Sequence, residues 1–459
     1  MPIEAIHQFP QGFLWGCATA AHQVEGQNIN DWWRWEQIPG KIFKDQQSGL
    51  ACDWWAGRYL EDFDRAVDMH NNALRLSIEW SRIEPEPGKW DDAALDRYRE
   101  MLKALRDRGL TPIVTLHHFT NPLWIGQEQG WLWDEVPTYF ERYVRHVVKA
   151  LGDLCSVWCT INEPMVYATY GYSLGYWSPG MRSSKALNKV MLNMLRGHAA
   201  AYHAIKQLQP EAQVGFTTHY VGLKPSWPSF INYPAAYWID YYFNQAFPLA
   251  LTDGYARLAI GRRVPVLGLK GAVDWVGLQY YQQFRVGFTP FKPQSFFIEQ
   301  RKPTDLPVGP GAWGGIDPDA TFDSIKWLWT TLKKPIYISE SGVPDEGDGI
   351  RPGYMLRTLR AVWKAVNFNY PVRGFFWWSL LDNFEWAEGY DPRFSFGLYQ
   401  TNFETQERIA RRSAALYTEV CAQNGISSAI VERYAPELVP TMFPGEPGLA
   451  EVKLKQASR

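Results

Sequence analysis

The chain of 459 residues is short of the features that commit a sequence to a special environment. Its five cysteines, at 17, 52, 155, 159 and 421, are few, odd in number and scattered, so no disulfide framework is expected. Cys155 and Cys159 lie four apart, but no second Cys/His pair follows, and buried free thiols are the simpler reading. Neither sign of charge dominates. Lys+Arg 46 against Asp+Glu 48 leave a net charge of −2, which excludes a basic field for nucleic acid or anionic lipid. No apolar stretch approaches the roughly 20 residues of a membrane span. Residues 1–16 lack the basic-then-apolar pattern of a secretory signal, so a cytoplasmic protein without membrane contact is expected. Gly12 and Gly16 flank the first apolar run without forming a glycine-rich phosphate loop, and the histidines show no HxH or HExxH spacing. No metal and no cofactor is expected. The composition leaves a homo-oligomer open.

Aromatic residues are abundant, with Trp 23, Tyr 24 and Phe 24. Many must be core, and the surplus suits stacking on flat apolar ligand faces. Short apolar runs alternate with longer helical periods. The runs are 13–18, 73–78, 112–116, 157–161, 213–218, 275–280, 336–339 and 372–378. Helical periods are expected near 58–70, 91–109, 134–151, 185–209, 244–261, 320–333, 353–367 and 406–424. In the clearest, Asp91 or Asp92 caps a face of Ala94, Leu95, Tyr98, Met101, Leu102 and Leu105, and Gly109 ends it. A Trp- and Pro-rich excursion is expected at 220–243 and a loop-like stretch at 285–318. Near-continuous apolar strands suit parallel strands covered on both faces. The fold class predicted is α/β: a single (β/α)8 TIM barrel with extended βα loops over 1–459, with a docked or partly mobile tail at 436–459.

Barrel sites lie at the carboxyl ends of the strands. In SVWCTINEP (156–164) a β-prone run stops at Asn162, Glu163 and Pro164. PIYISESG (335–342) repeats the design with Glu340. Arg75 is mid-strand and needs a carboxylate partner, for which Glu340 is the candidate. His117 and His118 adjoin on one strand, so only one enters the mouth, which argues against a two-His metal site. Gln23, Gln279, Tyr280, Tyr281, Trp378, Asn383, Glu385 and Trp386 lie at other strand ends. Paired carboxyls with amides, a His and aromatic platforms, and no metal or phosphate motif, point to glycoside hydrolysis. Its oxocarbenium-like transition state is served by one carboxylate and one protonated carboxyl.

Five motifs then make a specific match. FLWGCATAAHQVEG (13–26), LRLSIEWSRIEP (74–85), TINEP (160–164), YISESG (337–342) and WSLLDNFEWAEGY (378–390) resemble, in order, those of glycoside hydrolase family 1, the retaining β-glycosidases. The resemblance runs from about residue 9 to residue 424. It implies Glu163 as general acid/base, Glu340 as nucleophile and Asn162 as partner of the sugar 2-hydroxyl. It implies Gln23, His118, Glu385 and Trp386 on the remaining hydroxyls, Trp378 as stacking floor, and Arg75 and Tyr281 as tuners of the nucleophile. Departures are Phe119 where the family has Trp, Gln279 in place of Asn, and Ser341 after the nucleophile. An extra Ser-Phe follows Arg393-Phe394, so either Phe394 or Phe396 closes the sugar pocket. The function expected is a retaining exo-β-glycosidase acting on β-glucosides and short β-linked oligosaccharides, with β-galactosyl and β-fucosyl activity beside it. Its two carboxyls would stand about 5–5.5 Å apart. A 6-phospho-β-glycosidase and a non-catalytic sugar-binding relative are the alternatives. Both are disfavoured, by Glu385 at the phosphate position and by the presence of both acids.

Overall fold

The eight apolar runs form eight parallel strands. They are β1 (Leu14–Ala18), β2 (Ala73–Ser77), β3 (Thr111–Thr115), β4 (Val157–Asn162), β5 (Gln213–His219), β6 (Trp275–Gln279), β7 (Ile336–Ser341) and β8 (Val372–Trp378). The computed structural model describes residues 5–258, 261–290 and 298–444. Each strand pairs with its sequence neighbour, and β8 pairs back onto β1 with Gly374 opposite Leu14, which closes the barrel. Strands β2 and β4 are buried along their whole length, as strands covered on both faces must be.

The covering helices are α1 (Tyr59–Asp68), α2 (Asp92–Asp107), α3 (Val136–Leu151), α4 (Ser184–Leu208), α5 (Ala246–Asp253), α6 (Thr321–Leu332), α7 (Arg351–Asn367) and α8 (Arg412–Gln423). Helix α2 is capped by Asp91, whose carboxylate accepts from the Ala94 amide at 3.0 Å. It buries Ala94, Leu95, Tyr98, Met101, Leu102 and Leu105, all six positions of the predicted face. Among the described residues no helix is long and apolar enough to cross a membrane.

Three sequence expectations need correction. Helix α5 does not run to 261: Gly254, at φ +86, stops it, and Tyr255–Arg257 turns into a strand paired with Arg263–Pro265. The stretch 285–318 is not all loop. Gln283–Phe288 pairs with Ile298–Arg301 and with Gly222–Pro225 in a small sheet, covered by a helix at Ser229–Asp240. Proline and glycine density hid these elements, and 291–297 lie outside the described residues. Helix α8 begins at Arg412 rather than 406, because Arg408–Ala410 pairs with Tyr399–Thr401. Of the predicted tail, Val439, Met442 and Phe443 are buried, and the Phe443 ring stacks on His7 at 4.3 Å. Residues 445–459 lie outside the described residues.

The amino-terminal strand Ile6–Gln8 pairs antiparallel with Gly425–Ser427 under the barrel. Asn424 is the clasp. It holds φ 48, its Oδ1 accepts from Trp15 Nε1 at 2.8 Å, and its Nδ2 donates to the Phe9 carbonyl at 2.9 Å. Replacing Asn424 with Ala orphans a buried indole N–H and puts a Cβ-bearing residue without a local hydrogen bond in the left-handed region. We expect Asn424→Ala to cost about 2 kcal/mol and Asn424→Gly about 1 kcal/mol, with kcat unchanged. Urea midpoints measure this; an Ala variant as stable as the parent would show that the clasp carries no load.

Candidate active site

Local irregularity concentrates where the polar residues gather. Pairing of β4 with β5 shifts between Cys159 and Asn162, and pairing of β7 with β8 shifts between Ile338 and Ser341. Such bulges re-aim side chains at a strand end. Glu163 follows β4 at φ 41, ψ 61, a left-handed conformation for a residue that precedes proline, where extended backbone is preferred. The cost is on the order of 1–3 kcal/mol. It is offset by the Glu163 amide donating to the Thr217 carbonyl at 3.1 Å and the Asn162 amide donating to the His117 carbonyl at 2.9 Å. Phe119 (φ 72) and Trp386 (φ 48) are also left-handed. Just past β7, Gly342 ends the motif because any Cβ there would meet the Trp378 carbonyl at 2.1 Å.

Arg75 rises from β2 into the centre with its side chain 0% exposed. Its guanidinium donates to Glu340 Oε1, and also to Asn162 Oδ1 at 2.6 Å. Tyr281 donates to the other oxygen of Glu340 at 2.7 Å. Burial pushes the Glu340 carboxyl up to about 7, against the opposing Arg75 charge and with the repulsion of Glu163 added. Burial also holds the Tyr281 phenol well above its usual range, helped by the charge of Glu340, so it remains a donor.

Asn162 is locked. Its Oδ1 also accepts from Thr217 at 2.8 Å and from Gln279 Nε2 at 3.0 Å. Only the Nδ2 amide is left to act outward, and one of its protons goes to His118 Nε2 at 3.2 Å. Burial, then the Arg75 charge, holds His118 well below the usual histidine range, so the ring is neutral. With Nε2 accepting, its proton sits on Nδ1. Gln279 therefore braces Asn162, whereas Glu163 is held by His219, whose Nδ1 lies 2.9 Å from Glu163 Oε1.

The other predicted residues fall on the opposite side of the mouth. Gln23 Nε2 donates to Asn383 Oδ1 at 3.0 Å and to the Phe384 carbonyl at 2.9 Å, with Glu385 Oε2 at 3.3 Å. Burial and the charge of Glu340 raise the Glu385 carboxyl to about 8. The Trp386 ring is nearly parallel to His118 at 6.0 Å, and Trp378 flanks that His at 6.1 Å. Phe119 packs edge-on against Trp386 at 5.1 Å. Of the two closing candidates, Phe396 approaches both Tyr281 at 6.2 Å and Trp313 at 5.4 Å, and Phe394 meets Trp313 alone of these, at 6.5 Å. Gln23 Oε1, His118 Nδ1 and Gln279 Oε1 are buried without a partner among the described residues. Each such group costs about 1–3 kcal/mol unless a ligand satisfies it. A polyhydroxylated ligand with an apolar face does so.

His117, the neighbour of His118, points away and bonds Asn121 at 3.2 Å and Trp131 at 3.0 Å. Sequence reasoning missed His219, Thr217 and Trp177, which packs on Trp386 at 5.8 Å. For His219 the signal was present: it is one residue beyond the predicted end of β5, at the carboxyl end where site residues collect.

Known proteins carry the same plan. The profile described as Glycosyl hydrolase family 1 matches residues 5–426. Beta-glucosidase A of Thermotoga maritima is 31% identical over 92% of this chain and 99% of its own. A beta-galactosidase of Pyrococcus woesei is 30% identical over 92% and 99%. Among solved structures, a beta-glycosidase from Pyrococcus horikoshii superposes with a TM-score of 0.87 at 34% identity, over 94% of this chain and 98% of that one. The Thermotoga maritima beta-glucosidase in complex with deoxynojirimycin superposes with a TM-score of 0.85 at 29% identity, over 92% and 100%. With barrel and sequence in agreement over nearly its whole length, the chain belongs to glycosyl hydrolase family 1 and is a glycoside hydrolase.

Proposed function

We propose that the protein is a retaining, exo-acting β-glycosidase that releases terminal non-reducing β-D-glucosyl residues from β-glucosides and short β-linked oligosaccharides, and accepts β-galactosyl and β-fucosyl residues. One observation carries this reading: the two strand-end carboxyls have opposite surroundings. Arg75 and Tyr281 occupy both oxygens of Glu340, while Glu163 keeps Oε2 without a partner among the described residues. These donors favour the carboxylate form of Glu340, the form in which it can attack.

Glu340 attacks the anomeric carbon as the C–O bond to the aglycone breaks. The bonding pair goes to the leaving oxygen, which takes the proton of Glu163. Water then loses a proton to Glu163 and attacks the same carbon, the bond to Glu340 breaks, and the free sugar leaves with its configuration retained. The free Asn162 Nδ2 proton meets the 2-hydroxyl. Gln23, His118, Glu385 and Trp386 hold the other hydroxyls, Trp378 forms the floor, and Phe119 and Phe394 or Phe396 close the sides. The beta-glucosidase and the beta-galactosidase to which the chain is similar support this substrate class. A 6-phosphosugar is disfavoured because its phosphate would meet the carboxyls of Glu385 and Glu388.

Glu340→Gly should lower kcat by about 10⁴-fold or more, and azide should restore turnover as the α-glycosyl azide. Proton NMR of the wild-type reaction should show the β-sugar first; a first-formed α-sugar would mean inversion. Because Glu340 must be ionised to attack and is held up to about 7, kcat/KM should fall as pH drops through about 7. Tyr281→Phe removes a hydrogen bond that favours the carboxylate, so it should move this acid limb to higher pH. An unmoved limb would detach the phenol from the nucleophile.

A further inference from the structure

We propose that His219 is a positioning residue for Glu163: by donating its Nδ1 proton to Oε1, it confines the transferable proton of the acid to Oε2. The inference rests on the reading of Glu163 as acid/base. Thr217 and His219 are two apart on β5 and so project to the same side. Thr217 holds Asn162 through its hydroxyl at 2.8 Å and the Glu163 amide through its carbonyl at 3.1 Å. His219 holds the Glu163 carboxyl at 2.9 Å. One strand end thus fixes the backbone and side chains of both residues that close β4.

The imidazole is itself seated. It stacks on Tyr281 at 5.5 Å and 25°, and Phe243 meets it edge-on at 6.3 Å. Tyr281 is the phenol that donates to Glu340, so a single aromatic pair spaces the two carboxyls. An ionised carboxylate can only accept, which places a proton on Nδ1 when Glu163 is charged. When Glu163 is protonated, the same bond keeps Oε1 an acceptor and leaves the acid proton on Oε2, the oxygen without a protein partner among the described residues. Without His219 the carboxyl is free to rotate and to carry its proton on either oxygen.

The test compares kcat/KM, which reports the first chemical step, on an alkyl β-glucoside and on 2,4-dinitrophenyl β-glucoside, whose leaving group needs no proton. His219→Ala should lose about 10–100-fold on the alkyl glucoside and less than about 3-fold on the dinitrophenyl glucoside. His219→Asn puts an amide N–H where Nδ1 was and should recover most of the loss, whereas His219→Gln reaches past that point and should not. Equal losses on both substrates, or no loss on either, would overturn the assignment. If the Ala variant does not fold, as judged by absent dinitrophenyl turnover, the contrast between Asn and Gln decides alone. Glu163→Ala is the reference. If it shows no selective loss on the alkyl glucoside, the acid/base reading fails; if it does and His219→Ala does not, only the role of His219 fails.

Discussion

The site depends on one buried guanidinium. Arg75 has no exposed side-chain surface, and such a charge is tolerable only when it is paired with a carboxylate. Two of its nitrogens are engaged, one by the carboxylate at the end of β7 and one by the amide at the end of β4. Removing the carboxylate leaves an uncompensated charge in the barrel, at a cost on the order of 3–5 kcal/mol, whereas removing the amide leaves one buried N–H unpaired at about 1–3 kcal/mol. The requirement acts as a ruler. It forces β2, β4 and β7 to end at one height, and so brings Glu340 and the Asn162–Glu163 corner to the same point in space. The bulges in β4 and β7 are the backbone adjustments that let this meeting happen within a regular barrel.

Around that centre the chain spends its aromatic surplus on rigidity. Trp378 and Trp386 each lie about 6 Å from the His118 ring, and Phe119 and Trp177 back Trp386. Phe119 fills its place by packing alone, without the N–H that a tryptophan would present. The polar groups set against this wall, Gln23 Oε1 and His118 Nδ1, are left unpaired, and their desolvation is already spent before a ligand arrives.

Much of this was legible in the residues. Apolar runs bounded by polar ends located all eight strands, because burial on both faces leaves few residue types available. Arg75 announced its need for Glu340 by lying inside such a run. Partners set by geometry were not legible. Gln279 reaches Asn162 rather than Glu163 because pairing of β6 with β7 shifts between Leu278 and Gln279. His219 was lost by ending β5 one residue early. The sheet of Gln283–Phe288, Ile298–Arg301 and Gly222–Pro225 was missed because its strands pair over long sequence distances amid proline and glycine.

That small sheet has its own core, in which Ala236, Val286 and Ile298 form a cluster apart from the main one. A core this small leaves the sheet open to local unfolding. The helix at Ser229–Asp240 buries only Asn232 and Ala236 among its 12 residues, and Trp227 just before it is 87% exposed. A unit held by so few apolar contacts opens at a lower free energy than the barrel beneath it. The chain thus separates a rigid barrel that holds the two carboxyls from a loosely held cover at its carboxyl end.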